Sequence, residues 1–178
     1  AAPTRYQDSD ADGFGDPAAF IVSCSAVAGY VLDNTDNCPS LFGKIGDSCN
    51  DGDANTIGDV ITGACVCAGT NTPWYSQGSG SFTDAIWSQN VGGPGVVATI
   101  NAGSDVVVQT GHTITAGAAQ AIRNLTVENG ATMSLGSNTL TVNGASCQID
   151  GTLNGGTGNL LLQPSTAGTL SGSGSLDI

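Results

Sequence analysis

Positive charge is the scarcest thing in this chain. Three Lys and Arg residues stand against fifteen Asp and Glu, giving a formal net charge of −12 over 178 residues. Such a surface has almost nothing with which to neutralise phosphates, which argues against nucleic acid and anionic lipid as partners. No apolar run approaches the ~18 residues of a membrane span, so membrane insertion is not expected. No charged-then-apolar leader opens the chain either, and "AAPT" reads as a mature or fragment start. The single histidine, His112, sits in a Thr-Gly corner without Cys or Glu beside it, the setting of a surface turn residue rather than a base. None of the six cysteines has a nearby His or a C-x-x-C partner, which disfavours a zinc knuckle.

What is present falls into two styles. Residues 1–70 hold ten of the acids, with Arg5 and Lys44, and five cysteines: Cys24, Cys38, Cys49, Cys65 and Cys67. This stretch shows no sustained periodicity of 3.6 or 2, as expected of a small irregular module held by ions and bridges. Disulfides in an oxidising, extracellular setting are the natural reading, with one of the five cysteines left over, reduced or joined to Cys147 or to another chain. "GTNTP" (Gly69 to Pro73) resembles a linker. Residues 71–178 are then rich in Val, Ile, Leu, Thr, Gly and Asn.

The second region repeats. "LTVENGATMSL" from Leu125 and "LTVNGASCQI" from Leu140 align once Glu128 is treated as an insertion, and "VVV" at Val106, "LLL" at Leu160 and "LDI" at Leu176 keep the apolar-x-apolar core. Short alternating strands with Asn-Gly and Gly-Ser corners suit the coils of a parallel β-solenoid, a β-helix, with a β-sandwich as the alternative. If each start opens a coil, five coils extend ~24 Å. Leu125, Val127, Met133 and Leu135 then stack on Leu140, Val142, Cys147 and Ile149, and Cys147 is a buried free thiol. The expected chain is mainly β: a calcium-bound, disulfide-braced module followed by a short solenoid.

Candidate metal ligands follow from alternation. In "DSDADGFGD", Asp8, Asp10, Asp12 and Asp16 take loop positions 1, 3, 5 and 9, and the Phe14 carbonyl takes position 7. Calcium needs six to eight hard oxygens at ~2.3–2.6 Å, and glycine lets the loop curl around it. Position 12 is Ala19 and not an acid, so a ligand must come from elsewhere, with Asp36 as the candidate. A second loop repeats the scheme with Asp51, Asp53, Asn55, the Ile57 carbonyl and Asp59, but places Thr56 where the sharp turn would use Gly.

"DSDADGFGDP" followed by "DNTDNCP" resembles thrombospondin type 3 repeats, and "CNDGDANTIGDVITGACVC" is similar to a Cys-Asp-rich element of secreted bacterial surface proteins. The resemblance implies calcium, disulfides between turns, and a local Cys24–Cys38 bridge within the 16-residue insertion "AAFIVSCSAVAGYVLD" and its flank. It also implies that Cys49 pairs with Cys65 or Cys67. "WYSQGSGSFTDAIWS" and "TGHTIT" are similar to the opening of solenoid regions in bacterial adhesins and carbohydrate-active proteins. Trp74, Tyr75 and Trp87 are therefore candidates for stacking on surface glycans, against the plainer role of closing the solenoid end.

Catalysis lacks parts. The second region offers Asp84, Asp105, Glu128, Asp150 and Asp177 with only Arg123, and the repeat register places Asp105 and Asp150 three coils apart. The expected protein is not an enzyme. It is a secreted structural segment, filament subunit or adhesin scaffold that binds copies of itself or neighbouring repeats through open solenoid ends. A carbohydrate-binding module is the alternative.

Overall fold

The computed structural model describes residues 1–164 and 167–177. The chain divides into two compact units, Ala1–Asn71 and Thr72–Ile178.

In the first unit β1 (Thr4–Gln7) lies between β2 (Asp16–Val22) and β3 (Tyr30–Val31), antiparallel to both. Phe20, Ile21 and Val22 suit a pleated surface, and Pro17 is tolerated because β2 is an edge strand. Tyr6 faces Phe20 while Gln7 faces Asp16, and this slip in register releases the loop that follows β1. A second antiparallel pair joins β4 (Thr56–Ile61) to β5 (Cys67–Asn71). Two disulfides, Cys38–Cys65 and Cys49–Cys67, tie the segments between. Cys38 and Ile61 are the buried hydrophobic residues of this unit among those described, too little apolar core to hold it.

The bridges correct one expectation. Cys24 does not pair with Cys38; it is free and exposed. Cys38 is instead fully buried against Cys65, with Cα atoms 5.3 Å apart, while Cys24 sits in the turn after β2. Cys67 takes Cys49.

The second unit is a parallel β-solenoid of about four turns with three faces. Its strands are β6 (Trp74–Ser76), β7 (Gly80–Ser81), β8 (Trp87–Ser88), β9 (Asp105–Val108), β10 (Thr113–Thr115), β11 (Gln120–Ile122) and β12 (Asn124–Val127). They continue as β13 (Thr132–Ser134), β14 (Thr139–Val142), β15 (Ser146–Ile149), β16 (Thr152–Asn154), β17 (Asn159–Leu162), β18 (Thr169–Ser171) and β19 (Ser175–Asp177). One face stacks β6, β9, β12, β15 and β18; the next stacks β7, β10, β13, β16 and β19; the third stacks β11, β14 and β17. All these pairings are parallel, which rules out the sandwich, and among the described residues of this unit only β8 runs antiparallel, along the outer edge of β6.

Every residue expected to face inward does so: Leu125, Val127, Met133, Leu135, Leu140, Val142, Cys147 and Ile149 are all buried. Their partners differ from the expected register. Leu125 lies between Val106 and Cys147, Met133 between Ile114 and Leu153, and Leu140 between Gln120 and Leu160. The strands from Leu125 and Leu140 are therefore two sides of one coil, and the five starts mix three columns. Each side needs the same alternation of apolar and polar residues, so sides resemble one another as closely as coils do. In consequence there are about four turns and not five, and Asp105 and Asp150 lie two coils apart, on β9 and just after β15.

Candidate metal centre

The loop after β1 turns back on itself through its own carboxylates. The Asp12 N–H donates to Asp8 Oδ1 (3.2 Å) and Asp10 Oδ1 (3.3 Å), the Gly13 N–H to Asp8 Oδ2 (3.2 Å), and the Phe14 N–H to Asp12 Oδ1 (2.8 Å). Gly13, with φ of +92°, supplies the left-handed step that alternation alone cannot make. Asp8, Asp10 and Asp12 each place a carboxylate oxygen within 4.8 Å of the others, the one such cluster among the described residues.

Two contacts draw a fourth acid towards them. The Asp36 N–H donates to the Gly15 carbonyl (3.3 Å), and Gly15 packs so closely that a Cβ there would lie 2.7 Å from the Asp33 carbonyl. Asp36 itself is 2 % exposed. Its Oδ1 accepts the Cys38 N–H (2.7 Å), while its Oδ2 is buried with no hydrogen-bond partner. Asp10 Oδ2 is in the same condition. Burial pushes the Asp10 carboxyl above its usual range and the charges of Asp12 and Asp36 push it further, against hydrogen bonds from backbone N–H groups. The charge of Asp36 is thus felt at Asp10, within the cluster.

Buried carboxylate oxygens without donors are costly, and a hard cation is the partner that would satisfy several at once. The residues fit such an ion: Asp8, Asp10 and Asp12 offer carboxylates within reach of one another, and Asp36, which is not part of that cluster, carries a buried oxygen without a hydrogen-bond partner. The Phe14 carbonyl, which accepts no hydrogen bond among the described residues, offers one more oxygen. Asp16 lies apart from the cluster, opening β2 with its Oδ1 on the Ala18 N–H (2.8 Å).

Sequence reasoning missed the lid on this loop. Asp12 Oδ2 accepts the Gly43 N–H at 2.9 Å, and the Lys44 ammonium sits 3.6 Å from the centre of the Phe14 ring. Nothing in "LFGKIGD" signals a contact 31 residues away, because a backbone N–H donor leaves no mark in the sequence.

The second loop spends its carboxylates differently. Asp51 Oδ1 accepts the Asp53 N–H (2.9 Å) and the Thr56 hydroxyl (3.0 Å), and Asp53 Oδ1 accepts both the N–H and the side-chain amide of the buried Asn55. The Asp53 N–H, foremost, holds the Asp51 carboxyl below its usual range, with Thr56 and Gly69 adding to it against desolvation. Ile57 lies within β4, opposite Thr70. Asp59 alone keeps a buried oxygen, Oδ1, without a partner; its Oδ2 accepts the Asp51 N–H at 3.2 Å. Thr56, in the place where Gly would make the sharp turn, is the signal in the sequence that separates the two loops.

The aromatic residues close the solenoid. Trp87 is fully buried and Trp74 is 8 % exposed; Trp87 stacks on Phe82 with centroids 5.7 Å apart, and its Nε1–H donates to the Ser81 carbonyl at 3.1 Å. A ring without an open face cannot lie on a sugar, and only Tyr75 is partly exposed. His112 is half-buried, its Nδ1 2.9 Å from the hydroxyl of the buried Ser76. Arg123 grips Asp105 through Nε (2.7 Å) and Nη2 (2.5 Å). Comparison with known proteins gives no match to a family model, a curated protein or a solved structure.

Proposed function

We propose that this chain is a structural segment of an extracellular protein, in which calcium completes the first unit and the solenoid serves as a stiff scaffold. The observation that carries the calcium reading is the pair of buried, unpartnered oxygens on Asp10 and Asp36 beside the Asp8–Asp12 cluster. The two disulfides suggest an oxidising setting outside the cell. A unit with two buried hydrophobic residues needs staples, and bridges plus an ion supply them.

The solenoid provides the scaffold. Its columns of aliphatic residues run through successive coils, and β17, β18 and β19 are the last strands of their sheets, with Leu162, Leu170 and Leu176 partly exposed. Such edges accept further coils, whether neighbouring repeats or another copy, in an adhesin or filament. At the opposite end the edge of β6 is already covered by β8, so head-to-tail stacking would use the other two faces.

Thermal unfolding with and without calcium tests the first part. An ion at about a hundred times its dissociation constant stabilises the state it binds by about 2.7 kcal/mol. Calcium should raise the melting temperature of the first unit, and magnesium, which demands a tighter octahedral site and keeps its waters, should raise it less. No calcium shift would overturn this reading. Sedimentation and electron microscopy of the purified chain test self-association, and monomers at all concentrations would count against it.

A further inference from the structure

Three Asn-Gly pairs, Asn129-Gly130, Asn143-Gly144 and Asn154-Gly155, occupy corners of the solenoid. Glycine presents a backbone nitrogen with no side chain to hinder its approach to the preceding asparagine amide. The reaction between them needs an N–H not held by an acceptor, a side chain free to swing, and water. The three pairs have the same two residues, so their surroundings decide.

Two pairs are locked. The Gly144 N–H donates to the Arg123 carbonyl at 2.6 Å, and the Asn143 N–H to the Ile122 carbonyl at 2.9 Å. The Gly155 N–H donates to the Asp177 carbonyl at 2.5 Å, Gly155 is buried, and Asn154 Oδ1 accepts the Gly156 N–H at 3.1 Å. These bonds run between coils or within a tight turn, and the attacking nitrogen cannot leave them without local opening.

The third pair is open. Asn129 and Gly130 are both exposed, with Gly130 at a φ of +78°. The Gly130 N–H donates to no acceptor, and the Asn129 side chain makes no hydrogen bond, among the described residues. Only their carbonyls are engaged: Asn129 accepts the Thr110 hydroxyl (2.9 Å) and Gly130 accepts the Gly111 N–H (3.1 Å).

We propose that Asn129 is a self-modification site of the folded protein, converting through a succinimide to aspartate and isoaspartate. The Gly130 nitrogen gives up its proton to water and bonds to Asn129 Cγ; the Cγ–Nδ2 bond breaks and ammonia leaves. Water then opens the ring. Addition at Cγ restores an ordinary backbone carrying Asp, whereas addition at the backbone carbonyl routes the chain through the side chain and lengthens it by one carbon. Both products add a negative charge next to Glu128, whose Oε2 accepts the Thr110 N–H at 2.9 Å. The longer product also disturbs the two carbonyls that hold Thr110 and Gly111, so the contact between β10 and β13 loosens as the protein ages.

The test incubates the full chain in mildly alkaline buffer, folded and in denaturant, and follows each asparagine by peptide mapping with fragmentation that separates Asp from isoAsp. The quantity read is each site's folded rate divided by its own unfolded rate. It should be near one for Asn129 and lower by roughly tenfold or more for Asn143 and Asn154, because closed hydrogen bonds must open first. An Asn129→Gln variant should lose most of the folded-state conversion. Asn129 protected as strongly as the other two would overturn the proposal.

Discussion

Replacing Asp36 by asparagine keeps the shape of the side chain and removes its charge. In the cation-free unit this removes the repulsion that Asp36 exerts on Asp10 and replaces a buried carboxylate oxygen that lacks a donor, an unsatisfied group that costs about 1–3 kcal/mol. Asp36→Asn should therefore raise the stability of the calcium-free protein while abolishing its response to calcium, both read from one pair of melting curves. Loss of stability without calcium would show that Asp36 has a partner and no vacancy to fill. Cys147 allows a second test at this scale. Burial pushes its thiol up to about 11, whereas an unfolded thiol ionises near ~8.5. The unfolded chain releases its proton first, so the solenoid should lose stability as pH rises through that window, and Cys147→Val should flatten the dependence. Urea midpoints on either side of the window measure it.

Among the elements, β8 and its neighbours close the stack. Trp87 has no exposed surface and stacks on Phe82, so Trp87→Ala should destabilise the solenoid by about 3–5 kcal/mol, visible as an earlier urea transition. An unchanged midpoint would mean that the end needs no cap. Much of this element level was legible in the sequence. Alternation identified the inward residues, from Leu125 to Ile149, because a half-buried strand has no other way to be written. The grouping of strands into coils was not legible, since Leu125 and Leu140 obey the same rule on two sides of one turn. The clustering of Asp8, Asp10 and Asp12 was legible in their alternate spacing. The Cys38–Cys65 pairing was not, because any two cysteines of a flexible stretch satisfy the same count.

On the scale of the whole molecule, the two units are held by different means. Both disulfides lie in the first and almost all of the buried apolar residues lie in the second. Two thermal transitions should follow. Reduction should lower the first by the equivalent of about 2–5 kcal/mol per bridge and leave the second in place. A single transition that moves as one on reduction would show that the units unfold together. Thiol labelling gives an independent reading: Cys24 should react in the folded protein and Cys147 only after the second transition.

Residues 82–100 interrupt the succession of coils to make β8, with Phe82 and Trp87 still in the core, and Trp74 lies opposite Val106 across the gap. The tip of this segment, beyond the paired Trp87 and Val96, carries Gly92, Gly93 and Pro94, lies outside the hydrophobic core cluster, and is tied back at Asn90, whose carbonyl accepts the Gln77 side-chain amide at 3.3 Å. Lengthening such a loop costs only a few tenths of a kcal/mol for modest additions, since closure entropy grows with the logarithm of length. A foreign peptide spliced between Gly92 and Pro94 should thus be presented on a rigid support without disturbing it, which makes this chain a display frame for epitopes or binding loops.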